Sequence, residues 1–384
     1  MDPIIIVGTG LAGYGTAREF RKHDKETPLV LITRDDGASY YKPDLSEAHA
    51  KDAAPDDLVK KNVDAMAEEL DATIHTHRQV ESIDPQTRTL SLNGDSLQYH
   101  KLVLAFGADP IMLKLAGDAT QAVHKVNNLA DYRSFRSHLG DAKHVAILGA
   151  GLIGCEFAND LVGAGYEVSV LDPAGWPLSQ LLPEKCGQAV ERELDRAGVH
   201  WHLGHAAVAV HHDNDRLQVV RDDDDSVYAD AVLSAVGLRA GVELAQAAGL
   251  KTDKGIVVDR TLVTSDPHIY ALGDCAEVDG HWRPYVGPLM QCARTLGKTL
   301  AGGEGDTAGA VKYPTLPIIV KTHVCPVIVY PPVDKHGEWQ VEGDGSNLEA
   351  RFVNEDGDLL GFALTGEATN KRRDYLKDAP PLMG

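Results

Sequence analysis

The sequence has few cysteines and no close pair among them: Cys155, Cys186, Cys275, Cys292 and Cys325 form neither a CxxC nor a CxxxxC motif. A redox-active disulfide needs two thiols close together on one strand or helix turn, so their spacing argues against that chemistry. The five read instead as small buried hydrophobes. Positive charge is also scarce, with 37 Lys and Arg against 57 Asp and Glu and a net charge of −20. That balance excludes nucleic acid and an anionic membrane surface as principal partners, because both demand a dominant basic field. No apolar run nears the roughly 18 residues of a membrane-spanning helix. Met1-Asp2-Pro3 enters the first apolar run without a charged leader or cleavage site, and the expected location is the cytoplasm. His75-Thr76-His77 and His211-His212-Asp213 lack further ligands at metal spacing, so no metal site is expected.

What the chain does contain is a duplication. Gly8-Thr9-Gly10-Leu11-Ala12-Gly13 and Gly149-Ala150-Gly151-Leu152-Ile153-Gly154 are GxGxxG fingerprints, entered from the strand-like runs Ile4-Ile5-Ile6-Val7 and Val145-Ala146-Ile147-Leu148. Alone, such a pattern is weak; between a strand and a helix it marks a turn that brings backbone close to a pyrophosphate at a helix N-terminus. Two fingerprints imply two dinucleotides on one polypeptide.

At 384 residues, 43% hydrophobic and 24% charged, the chain should fold into two or three globular domains. After the first fingerprint a helix and the strand Leu29-Val30-Leu31-Ile32 open a βαβ unit, and residues 101–108 read as a strand ending at a glycine break. The second unit runs from Val145 through Glu167-Val168-Ser169-Val170-Leu171 and closes near Ala231 to Gly237. The strands Gly255 to Asp259 and His268 to Asp274 then have no partner unless they return to the first sheet, which makes one unit an insertion in the other. Asp222-Asp223-Asp224-Asp225 is expected as an exposed loop between strands. From Lys312 the tail reads as strands, with a hairpin whose arms flank Glu355-Asp356-Gly357-Asp358. The expected fold is α/β: two Rossmann-like dinucleotide-binding domains, one inserted in the other, plus a small α+β C-terminal domain. Its boundaries are placed at 1–108 with 231–308, at 109–230 and at 309–384.

These residues resemble the two-dinucleotide pyridine-nucleotide flavoprotein reductases. Tyr41-Lys42-Pro43-Asp44-Leu45-Ser46, Gly149 to Glu156 and Ile269 to Glu277 are most similar to the bacterial rubredoxin and flavorubredoxin reductases. The resemblance implies FAD on the first fingerprint, NADH on the second, and rubredoxin or a similar small iron protein as acceptor. Flavorubredoxin or an iron–sulfur ferredoxin is the alternative acceptor, and an NADH oxidase or redox-sensing flavoprotein is the third reading. The last is disfavoured because peroxidase-type relatives use a cysteine near position 42, where this chain has none.

Motif and resemblance together imply a cofactor-binding set of Gly8, Gly10, Leu11, Ala12, Gly13, Asp35, Lys42, Ala105, Gly149, Gly151, Ile153, Gly154, Glu156, Asp172, Gly237, Gly273, Asp274 and Lys321. Asp35 lies somewhat beyond the usual spacing for a ribose-binding acid and could equally be a turn former. Asp274, after a hydrophobic strand, would meet the flavin ribitol; a plain Gly-Asp turn is the alternative. Asp172 stands where a carboxylate bonds the 2′-hydroxyl of NADH and repels the phosphate of NADPH. The resemblance implies catalytic roles for Lys42 and Glu156, paired beside the nicotinamide, although a solvated lysine and an acid in a helix's first turn would need no such role. Lys321 is expected to reach the flavin or the partner surface, and Lys42, Arg294, Lys298, Lys312 and Lys321 are candidates for a basic docking rim.

Overall fold

The computed structural model describes residues 2–302 and 309–384; the expected boundary at 308/309 falls on a segment outside the described residues. Two five-stranded parallel sheets dominate. In the first, the order is Ile269–Ala271, Lys101–Leu104, Ile4–Val7, Leu29–Ile32 and Thr73–His75. In the second it is Val123–His124, Ala231–Ser234, His144–Leu148, Glu167–Asp172 and Val199–Leu203. Ile4–Val7 and, after His144, Val145–Leu148 are continuous apolar runs, as parallel sheets covered on both faces require, and Ile4, Ile5, Ile6, Val145 and Ile147 are fully buried.

The insertion is visible at its two crossings. Ala108–Pro110 leaves the first domain and pairs antiparallel with Leu238–Ala240, which re-enters it. The expected boundary at 231 is therefore corrected: Ala231–Ser234 pairs in parallel with His144–Leu148 inside the second sheet. Its apolar run could serve either sheet, and its register against His144–Leu148 decides the matter. One expected return to the first sheet is also corrected. Ile269–Ala271 does join that sheet, but Ile256–Val258 pairs with Ala276–Val278 in a separate three-stranded sheet.

The C-terminal segment forms an antiparallel sheet ordered Ile318–Val320, Val327–Tyr330, Leu359–Thr365, Asn347–Val353 and Glu338–Asp344, followed by the helix Arg372–Asp378. Ile318, Val320, Val327 and Val329 share a core with Phe157 and Ala158 of the second domain, so the sheet is fastened to it. Its other face packs Phe362, Leu364 and Ala379 beneath Tyr375 and Leu376. The turn after Val353 closes with Gly357 at φ +84°, a conformation that favours glycine. The Asp222–Asp225 run links Arg216–Arg221 to Ser226–Ala229, where Arg221 bonds Asp223 and Asp225.

Candidate active site

Each fingerprint builds the same cradle. Gly8 has φ +117° and its missing Cβ would lie 2.3 Å from the Ala105 carbonyl oxygen, while a Cβ on Gly13 would lie 1.9 Å from the Gly8 oxygen. Gly149 repeats the first constraint with φ +107° and 2.7 Å to the Ala235 oxygen, and Gly154 the second at 1.9 Å from the Gly149 oxygen. The middle glycines differ from these. A Cβ on Gly10 or Gly151 would meet nothing within 4 Å. Both cap their helices with nearly identical backbones, φ −74° and ψ −169° against φ −75° and ψ −169°, and neither helix has a capping side chain. The first-turn N–H groups are thus left to face an anion in an open concavity, the donor set a pyrophosphate fits.

Around the first cradle, Ala12 stands where a Cβ on Gly273 would come within 2.9 Å, and Gly273 has φ +77°. This contact sets Asp274 beside the start of the helix Leu11–Arg21, with Leu11 partly buried at the same mouth. Asp35 accepts from Thr33 at 2.6 Å and from the Gly37 N–H at 3.0 Å, and lies 3.4 Å from Thr9 Oγ1 in the glycine turn. It is both a turn former and a carboxylate facing the cradle. Around the second, Asp172 accepts the Ala150 N–H at 2.7 Å and the Ala174 N–H at 2.8 Å. Gly237, at φ +115°, follows the strand beside Gly149, and Ile153 is 39% exposed at the cradle's rim.

Between the cradles runs the 3₁₀ segment Lys42–Glu47. Burial pushes the Lys42 ammonium below the usual lysine range and the nearby Asp274 carboxylate pulls it back up; burial likewise raises Asp274, and Lys42 opposes the rise. The expected pairing of Lys42 with Glu156 is corrected. Lys42 Nζ donates to Asn127 Oδ1 at 2.7 Å, whereas Glu156 accepts from Lys321. Glu156 is 2% exposed, and its carboxylate receives Lys321 Nζ at 2.9 Å, the Lys321 N–H at 3.0 Å and Ser46 Oγ at 2.7 Å. Nor does it sit in the first turn of Leu152–Gly163, which holds no acid, so a helix-dipole role does not account for it. The reason for the exchange is reach: Lys321, the residue after Ile318–Val320, donates to Ser46 at 2.8 Å and to the Pro43 carbonyl.

Lys321 is therefore no solvated strand end, since its side chain is 20% exposed and its ammonium is spent on internal partners. Of the docking candidates, Arg294, Lys298 and Lys312 are exposed, while Lys42 and Lys321 point inward. Sequence reasoning passed over Ser46, Asn127 and Asp160. Ser46 stood inside the quoted Tyr41–Ser46 motif, but nothing in sequence marks Asn127 or Asp160, which act across domains. Asp160 accepts the N–H groups of His49 and Ala50 at 3.0 and 2.8 Å.

The pyridine nucleotide-disulphide oxidoreductase model matches residues 2–296, over the two cradles and the strands that join them. The chain belongs to this family. A second model, described as a rubredoxin binding C-terminal domain, matches residues 310–379 of this family member. The chain is 49% identical, over the whole of both sequences, to a rubredoxin-NAD(+) reductase of Alcanivorax borkumensis. It is 37% identical, over 100% of its own length and 97% of the other, to a nitric oxide reductase FlRd-NAD(+) reductase of Vibrio vulnificus. Among solved structures, a ferredoxin reductase of Rhodopseudomonas palustris superposes with a TM-score of 0.88 at 28% identity, over 99% of this chain and 96% of that one. The disulphide of the family name has no counterpart here. All five cysteines are buried free thiols, with burial pushing Cys186 and Cys275 up to about 12 and Cys292 and Cys325 up to about 11.

Proposed function

We propose that this chain is an NADH-dependent rubredoxin reductase, with FAD in the first cradle, NADH in the second and rubredoxin received at the C-terminal domain. The observation that carries the reading is the C-terminal sheet. It lies in the segment that matches a rubredoxin-binding model, and its Lys321 bonds Glu156 on the helix that opens with the NADH cradle. When bound, FAD supplies the chemistry of taking a hydride and passing electrons on singly. The protein's own residues position and shield. The open backbone at Gly10 and Gly151 binds pyrophosphate, Asp274 and Asp35 bind the flavin's polyol and ribose, and Asp172 selects NADH. Lys42 holds a positive charge at a half-buried position beside Asp274, where it favours an electron-rich flavin.

The matching domain boundaries are 2–110 with 238–302 for FAD, 111–237 for NADH and 309–384 for the partner. Among the described residues no helix is long and apolar enough to cross a membrane. Five unpaired thiols suit a reducing compartment and support a cytoplasmic location, which cell fractionation checks. A flavorubredoxin acceptor is the second reading, favoured by the 37% identity to the Vibrio vulnificus reductase. The test is anaerobic stopped-flow mixing of NADH-reduced protein with rubredoxin, a [2Fe–2S] ferredoxin and oxygen in turn. Fast flavin reoxidation by rubredoxin that slows at high salt is expected; fast reaction with oxygen alone makes the protein an oxidase.

A further inference from the structure

Electron delivery leaves a proton behind. One NADH and two oxidised rubredoxins give NAD⁺, two reduced rubredoxins and one proton, because the hydride carries two electrons and a proton while each iron accepts one electron. That proton is set free in a buried centre and must reach solvent. Among the described residues, the buried acids are Glu156, Asp160 and Glu277. Glu277 holds the Lys254 and Gly255 N–H groups, and Asp160 those of His49 and Ala50. Asp160 also meets the buried His49 imidazole at 3.5 Å, but only Glu156 meets both a hydroxyl and an ammonium, on Ser46 and Lys321. It also sits between the cradles, on the NADH helix and against the segment whose other end places Lys42 near Asp274.

Beyond Ser46 the way is open. Ser46 Oγ donates to Glu156 Oε2 at 2.7 Å and accepts from Lys321 at 2.8 Å. The same residue lines a crevice of about 80 Å³, together with Glu47, Lys51, Asn159, Asp160 and His323. At the roughly 10–15 Å³ of such space that one water needs, that volume admits several. His323 is 68% exposed at its rim and meets Glu47 at 2.8 Å, and Lys51 meets the other oxygen of Glu47 at 3.3 Å. We propose that this crevice is the proton exit of the reaction. Glu156 takes the proton, Ser46 Oγ accepts it from Glu156 as its own hydrogen passes to crevice water, and the His323–Glu47 pair hands it to bulk solvent. The inference rests on the placement of NADH and FAD under the proposed function.

The test follows the proton directly. NADH-reduced holoenzyme is mixed anaerobically with oxidised rubredoxin in weak buffer containing a pH-indicator dye, and dye and rubredoxin absorbance are recorded together. In the parent, one proton should appear per two rubredoxins, in phase with their reduction. In Ser46→Ala, proton release should lag by about tenfold or more, with a larger solvent deuterium effect. Added imidazole should restore the rate, a rescue that a merely structural loss would not show. Ser46→Ala also loosens Lys321, so the double variant Glu47→Gln, His323→Ala provides a second arm at the rim. It should slow proton release while leaving anaerobic flavin bleaching by NADH within about twofold of the parent. Proton release that stays in phase with rubredoxin reduction in both variants overturns the exit. Failure of the underlying reading looks different: the parent itself would not bleach with NADH or would not reduce rubredoxin.

Discussion

The two glycine cradles cap their helices with backbones that agree to within a degree at Gly10 and Gly151, and they differ in what packs behind the helices. The first helix, Leu11–Arg21, is pressed against Val286–Ala301 so closely that a Cβ on Gly297 would lie 2.5 Å from the Glu19 Cβ. Its cradle is walled by Ala105 and by Gly273, which a Cβ would bring within 2.9 Å of Ala12. The second helix instead turns a polar face to its neighbours. Glu156 holds Ser46 and Lys321, Asn159 holds the Val324 N–H, and Asp160 holds His49 and Ala50. Ile153 is exposed at the rim of that cradle. One turn motif is therefore backed by two different helix surfaces.

The sharpest way to break the comparison is to spoil each cradle in turn. Gly13→Ala and Gly154→Ala each force a methyl to within 1.9 Å of a carbonyl oxygen, at a cost of about 2–3 kcal/mol. Gly13→Ala should lose the yellow flavin absorbance, whereas Gly154→Ala should keep the flavin and lose its bleaching by NADH. Loss of flavin in both would mean the cradles are not functionally distinct. Next in size, Glu156→Ala should slow NADH-driven flavin reduction about tenfold or more while flavin content holds. Equal loss of both would make Glu156 a structural residue. Lys321→Ala should slow the same step, and unchanged kinetics would remove its role.

Asp172→Ser should narrow the preference for NADH over NADPH by about tenfold, the worth of one hydrogen bond to a charged group. A fixed ratio of the two kcat/KM values would defeat that assignment. The smallest effect is on pH. Asp274 pulls the buried Lys42 ammonium upward, so Asp274→Asn lets it fall further and lose its proton at lower pH. The alkaline limb of flavin reduction by NADH, measured on the flavin-loaded fraction, should move toward neutral pH. A limb that stays in place would show that Lys42 does not need its charge.

The sequence by itself determined the two cradles, the parallel sheets beneath them, the C-terminal hairpin and the lack of a redox thiol pair. These are set by neighbours: Gly13 must clear Gly8 five residues away, and an apolar run must be covered on both faces wherever it lies. Tertiary structure alone decided the partners. Ser46 and Glu156 are 110 residues apart, and Glu156 and Lys321 are 165 apart. The motif around Lys42 suggested a pair with Glu156, yet the packing of three domains put Lys321 there and gave Lys42 to Asn127. It likewise drew Ala231–Ser234 into the second sheet. An ion pair depends on which side chains meet within about 4 Å, and that distance follows from domain packing, which leaves no local pattern of residues to read.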